Sequence, residues 1–267
     1  AGRRKGGGCA TGTGRRGQAG AKRIPGWSMA IVEAGLSASG KAGGCTTQPG
    51  GEQHGGGERQ RARSVVIDED SAVAANATGK GDGGRVIVFS EDLTSIDGRL
   101  AARGGNKGGD GGFIETSGLL HFAIAQTPNL AAKKGDAGSW LIDPYNIRIG
   151  AEPAPCPATG RACGNLGAAL EAIIAPNFDS TGFDGILRTI APDPNILGDE
   201  NFVSAELIER ALGIGVDVTI STQVFGKDLN TDPTAGDIIL EEAISILSAN
   251  VREGTIATLT LLAAGDL

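Results

Sequence analysis

Large side chains are scarce in this sequence. Of its 267 residues only 4% are aromatic, and there are one Tyr, two Trp and one Met. A core built from so few large groups has to be thin and regular, made of Val, Ile, Leu and Ala. Histidine is limited to two residues, His54 and His121, far apart in the chain. The four cysteines, Cys9, Cys45, Cys156 and Cys163, form no Cys-x-x-Cys pair, so a zinc site of Cys and His ligands is not expected. Cys156 and Cys163 flank a Pro/Gly/Arg loop, and they either close a small disulfide or stand as two free thiols. No apolar run approaches the ~18 residues of a membrane span. The chain opens on Ala1 without an apolar leader and stops directly after a strand-like run, Leu259 to Ala264. It therefore reads as a piece of a longer protein.

Glycine is abundant instead, with 45 residues, more than twice its usual share. It shows no period of three, which excludes a collagen helix. Charge is divided along the chain. Residues 1–64 hold 11 Lys/Arg and 3 Asp/Glu, a net of +8; the remainder holds 13 and 28, a net of −15. An acidic body argues against nucleic acid or an anionic membrane as the main partner. Residues 1–30 are basic and aperiodic and are expected to be a disordered tail. Such Arg/Gly-rich segments can bind RNA, but only Trp27 supplies an aromatic here.

From Ser64 the texture changes to short β-branched runs closed by small or polar residues. They are Ser64–Asp68, Arg85–Phe89, Gly112–Thr116, Trp140–Asp143, Asn146–Ile149, Val216–Thr222, Asp237–Leu240, Ala243–Ile246 and Ala257–Leu262. Runs of this length predict strands, and an interval near twenty residues between the last of them predicts a solenoid. Two stretches, Leu166–Ile174 and Ser204–Leu212, carry helical spacing. The second has an imperfect cap, is stopped by Gly213 and Gly215, and is expected to make one or two turns. Pro176–Asp199 is loop-rich and reads as an excursion from the regular stack.

Six glycines fall in the nine residues from Gly104 to Gly112, just before the run Phe113-Ile114-Glu115-Thr116. A phosphate-binding loop would lead into a helix, and no Gly-Lys-Ser/Thr follows. A calcium β-roll would need the nonapeptide repeated, and only one distorted copy, around Asp110, is present. A flexible linker would separate two different patterns, whereas short strands lie on both sides. Corners of stacked turns remain: backbones there approach to roughly 4.8 Å, and residues without Cβ are favoured.

Charged residues cluster at Asp82, Glu91, Asp92, Asp97, Arg99 and Arg103, a set that a polysaccharide-active β-helix enzyme could use and that solvated turns explain equally well. Lys80-Gly81-Asp82 and Lys134-Gly135-Asp136 look like integrin-reading tripeptides, and Asn76-Ala77-Thr78 has glycosylation spacing. Chance composition accounts for both. The sequence assigns no catalytic, cofactor-binding or metal-binding residue.

Gly79 to Gly118, "GKGDGGRVIVFSEDLTSIDGRLAARGGNKGGDGGFIETSG", followed by "GSWLIDPYNIRI" at Gly138–Ile149, resembles the filamentous haemagglutinin-type exoproteins of two-partner secretion. "VSAELIERALGIGVDVTIST" (Val203–Thr222) and the "GDIILEEAISI" that follows are similar to a later coil of that family, and the likeness runs from about Ser64 to Leu267. Phe89 stands where the family has Trp, and Gly43–Gly57 resembles a degraded coil. The resemblance implies an all-β fold, a right-handed parallel β-helix with short helical and loop excursions. On this basis residues 1–63 are expected to be a poorly ordered or degraded coil region. Residues 64–150 would be haemagglutinin-type coils, 151–202 a loop-rich excursion and 203–267 further coils. The implied function is a non-enzymatic adhesin rod without cofactors, secreted or held at the outer membrane of a Gram-negative-type bacterium. Its implied partners are an outer-membrane two-partner secretion transporter and receptors or glycans on host or neighbouring cells. The alternatives are a β-helical polysaccharide-active enzyme and the stalk of a contact-dependent toxin-delivery exoprotein.

Overall fold

The structure is a computed structural model that describes residues 22–24, 28–31, 34–56, 61–119, 121–151, 201–222, 236–246, 251 and 256–265. Its strands are short. β1 (Lys22–Ile24), β2 (Ser28–Ile31), β3 (Gly35–Ser37) and β4 (Thr46–Thr47) precede a 3-10 turn at Gln53–Gly55. Next come β5 (Ser64–Ile67), β6 (Ala72–Ala74), β7 (Arg85–Ser90), β8 (Leu93–Ile96) and β9 (Arg99–Ala101). They are followed by β10 (Phe113–Gly118), β11 (His121–Ile124), β12 (Ser139–Ile142) and β13 (Ile147–Gly150). β14 (Phe202–Ser204) leads into helix α1 (Ala205–Gly213), and β15 (Asp217–Ser221), β16 (Ile238–Leu240) and β17 (Leu259–Leu262) close the series.

These strands form four sheets. The longest has the order β4-β7-β10-β12-β15-β17; the others are β1-β2-β5-β8-β11, β3-β6-β9 and β14-β13-β16. Three sheets are wholly parallel, and the fourth is parallel apart from the β1–β2 pair. Consecutive strands from β4 to β11 do not pair with each other. β7, β8 and β9 enter three different sheets, and β10 returns to lie beside β7. Parallel neighbours therefore sit a full circuit apart: Val86 pairs with Ile114, and Ile114 with Trp140, at separations of 28 and 26 residues.

The core lies between the sheets. Along the longest one, Val86, Ile114, Trp140 and Val218 form one inward column, and Val88, Ile142 and Ile220 lie in the next. Ile67, Ile96 and Ile124 line up on the second sheet, and Val73 and Leu100 on the third. Each such side chain contributes about 1.5–3 kcal/mol when buried. A single circuit holds only a handful, so stability has to accumulate from contacts between neighbours. This is the thin aliphatic core that the shortage of aromatics demands.

Glycine fills the corners where circuits overlie. A Cβ on Gly112 would lie 2.0 Å from the carbonyl oxygen of Gly84, and one on Gly138 would lie 2.0 Å from that of Gly112. The same oxygens accept amide bonds from Phe113 and Ser139 at 2.9 and 3.0 Å. Any side chain pointing this way would hold the backbones apart and break those bonds. Asp110 completes the corner: its amide donates to Asp82 Oδ1, and its own Oδ1 accepts the amide of Asp136.

Several expectations change. The array starts before Ser64: β2, β3 and β4 pair with β5, β6 and β7, and β1 and the first three residues of β2 fall inside residues 1–30, expected to be a disordered tail. The interval near twenty residues is the spacing of successive apolar runs in different sheets, whereas Val218 pairs with Leu259, 41 residues on. Ala243–Ile246 is not a strand, because Ile246 is exposed and the Ser245 amide donates to Glu209 Oε1. α1 spans nine residues and includes Gly213; Gly215, at φ +88°, follows its end. Cys45 is disulfide-bonded. Residues 1–21, Leu166–Ile174, Pro176–Asp199, Cys156 and Cys163 lie outside the described residues.

Candidate functional site

The outer surface of the longest sheet carries a lid. Residues 49–56, part of the Gly43–Gly57 stretch that resembles a degraded coil, lie across it against Phe89, which is 1% exposed. The lid's glycines permit this contact, since a Cβ on Gly51 would come within 2.8 Å of the Phe89 ring and one on Gly55 within 2.3 Å. Backbone bonds fasten it at one end, with Phe89 N donating to Pro49 O and Ala62 N to Gly50 O. Arg85 Nη2 reaches Gln53 Oε1 at 2.5 Å and stacks on the Phe113 ring.

His54 stands at the tip of this lid. Its φ of +54° makes it the one non-glycine residue with positive φ among the described residues. That conformation costs of order 1 kcal/mol and persists only where surrounding contacts hold it. Two contacts do so here. The His54 amide donates to Glu115 Oε1 at 2.7 Å, and its ring Nδ1 lies 2.7 Å from Asp143 Oδ2. Glu115 belongs to β10 and Asp143 follows β12, so His54 is joined to two neighbouring circuits, 61 and 89 residues away in sequence.

Both carboxyls are buried, Glu115 at 0% and Asp143 at 5% exposure. Burial pushes the Glu115 carboxyl above its ordinary range, opposed by the amide and ring of His54 and the Ser117 hydroxyl, with Asp143 adding a smaller upward push. Burial likewise raises Asp143, opposed by His54 and by the hydroxyl of Ser221. Even so, Glu115 Oε2 and Asp143 Oδ1 lack a hydrogen-bond partner. A His54 nitrogen and one oxygen from each carboxyl all lie within 4.8 Å of one another. The arrangement can share a proton or hold a cation. It is not laid out for a polymeric substrate, because the lid and sheet enclose the carboxyls.

The charged residues noted in the sequence do not converge. Asp82 caps the glycine corner, Glu91 faces Arg61 at 3.7 Å, and Asp92 binds Arg63 at 2.6 Å. Asp97 is buried beyond β8, Arg99 is exposed on β9, and the Arg103 amide donates to Asn76 Oδ1. In the tripeptides, the Asp82 carboxylate is occupied by the Asp110 amide, and Asn76 of the glycosylation triplet is buried. Beside α1, an open groove of about 820 Å³ is lined by residues including Pro128, Glu206, Arg210 and Ile246.

Sequence reasoning missed the His54–Glu115–Asp143 cluster. The one available signal was Glu115 itself, a carboxylate set between Ile114 and Thr116 in a strand. His54 had been weighed as a ligand only alongside cysteines and the distant His121. No protein-family model matches the chain, and no curated protein matches it.

Proposed function

We propose that this chain is a rod segment of a secreted, cell-surface adhesin of the filamentous haemagglutinin type, folded as a right-handed parallel β-helix and without enzymatic activity. One observation carries the reading: parallel partners recur a full circuit apart through β4, β7, β10 and β12, with glycines overlying at each corner. Six strands at roughly 4.8 Å spacing span about 25 Å along the stacking direction. Such a stack extends by adding circuits and exposes a repeating surface, so weak contacts to a neighbouring cell sum through effective concentration. A two-partner secretion transporter in the outer membrane would export it, and receptors or glycans on other cells would be its ligands. The enclosed position of the His54–Glu115–Asp143 cluster weighs against a polysaccharide-cleaving role.

The test uses beads coated with the folded chain. Binding to epithelial monolayers, or bead-to-bead aggregation, above that of beads coated with heat-unfolded chain is expected. Equal binding by both coatings, or new reducing or unsaturated ends released from acidic and neutral polysaccharides, would reject the reading. Electron micrographs of the purified chain should show short rods whose width stays constant.

A further inference from the structure

The lid cluster holds an electrostatic problem that the surrounding protein does not solve. Two buried carboxyls sit within 4.8 Å of an imidazole nitrogen, and one oxygen of each has no donor. Among the described residues, the donors to these carboxyls are the His54 amide, His54 Nδ1 and the hydroxyls of Ser117 and Ser221. None of these is a permanent cation, and the guanidinium of Arg85, on β7, is committed to Gln53 of the lid and to the Phe113 ring. A buried carboxylate without a counter-charge is costly, and pairing or a metal is the usual remedy. Glu115 is fully buried, so its partnerless Oε2 has no access to solvent either.

We infer that His54, Glu115 and Asp143 form a binding site for one transition-series divalent cation of the Zn2+ type, clamping the lid across neighbouring circuits of the stack. An imidazole nitrogen with two carboxylate oxygens suits Zn2+, Co2+ or Mn2+ better than Ca2+ or Mg2+, which prefer all-oxygen shells. Binding the ion would displace the proton of the Nδ1–Asp143 hydrogen bond, move these two atoms apart from their 2.7 Å separation, and supply the buried carboxyls with a counter-charge. The site is independent of the adhesin reading, since it needs only the lid and two adjacent strands of the longest sheet.

The experiment uses the untagged 267-residue chain, stripped with EDTA, desalted and titrated with ZnCl2 by calorimetry, and with CoCl2 by visible absorption. One ion per chain, a rise in melting temperature with ZnCl2 but not with equimolar CaCl2, and a cobalt band typical of nitrogen–oxygen ligation are expected. His54→Gly removes the imidazole while suiting the left-handed turn and keeping the amide bond to Glu115, so it should fold normally. It should weaken zinc binding at least about tenfold, and Glu115→Gln should do the same. His121→Ala should leave binding unchanged. Absence of zinc and cobalt binding, a preference for calcium, or binding that survives both His54→Gly and Glu115→Gln overturns the site.

Discussion

At the scale of single residues, the outer face of the longest sheet shows how one aromatic organises a loop. Phe89 is buried although it points away from the core column, because three glycines of the lid lie against its ring and backbone. Phe89→Ala should cost about 3–5 kcal/mol in denaturant unfolding and expose the lid to protease. The two buried carboxyls make a separate prediction for protein held in EDTA. Their folded pKa values are raised above the ordinary 4.5 and 3.8, so the folded state holds these protons more tightly than the unfolded chain does. Their contribution to stability is full below those ordinary values and is lost as pH rises through the raised ones. Denaturation midpoints measured across that window should fall with pH more steeply for the native chain than for a Glu115→Gln, Asp143→Asn double variant. Equal slopes would show that the pair does not titrate as described.

At the scale of elements, the corner before each strand of the longest sheet matters more than the strand's own propensity. Gly112→Ala places a methyl group 2.0 Å from the Gly84 oxygen, so β7 and β10 must separate locally. A loss of about 1–3 kcal/mol or more is expected. Gly35→Ala, at a β3 position with nothing within 4 Å, should be nearly neutral in the same assay. Similar losses for both would mean that backbone freedom, not close approach, accounts for the glycines. Asp110→Ala removes the acceptor for the Asp136 amide and should cost about 1 kcal/mol, read most directly as faster hydrogen exchange at that amide. α1 follows different rules: its buried face of Leu207, Ile208, Ala211 and Leu212 packs inward, while Glu206 and Arg210 pair on the outside.

At the scale of the molecule, parallel pairing joins β4, β7, β10, β12, β15 and β17 in one series, so unfolding should propagate from strand to neighbouring strand. Trp140 sits in the middle of the inward column, 1% exposed, with its indole N–H donating to Thr116 Oγ1. In a Trp27→Phe background its fluorescence reports that region alone. If the stack melts as one unit, the loss of its buried emission coincides with the loss of the β-sheet circular-dichroism signal. A separation of the two curves would reveal independently unfolding segments.

The sequence by itself determined the local grammar: β-branched runs of four to seven residues, glycine corners before several of them, and a core poor in aromatics. Those features are legible because strand propensity and glycine's backbone freedom are properties of the local chain. Ser64–Ile67 and Arg85–Ser90 emerge nearly where their patterns place them. β8 lacks the β-branched apolar run of those strands, with Thr94 and Ser95 buried at its centre; only the fold provides Thr94 Oγ1 with its acceptor, Ser117 O of the next circuit. The tertiary structure alone decided which circuits meet and what covers them. A period is the sum of several turn lengths, so neighbouring runs are about twenty residues apart where paired strands of the longest sheet are 26 to 78 apart. The same stacking carries His54 onto Glu115 and Asp143. Residues so far apart in the chain are joined only by the register of the sheet and the path of a glycine-lined lid.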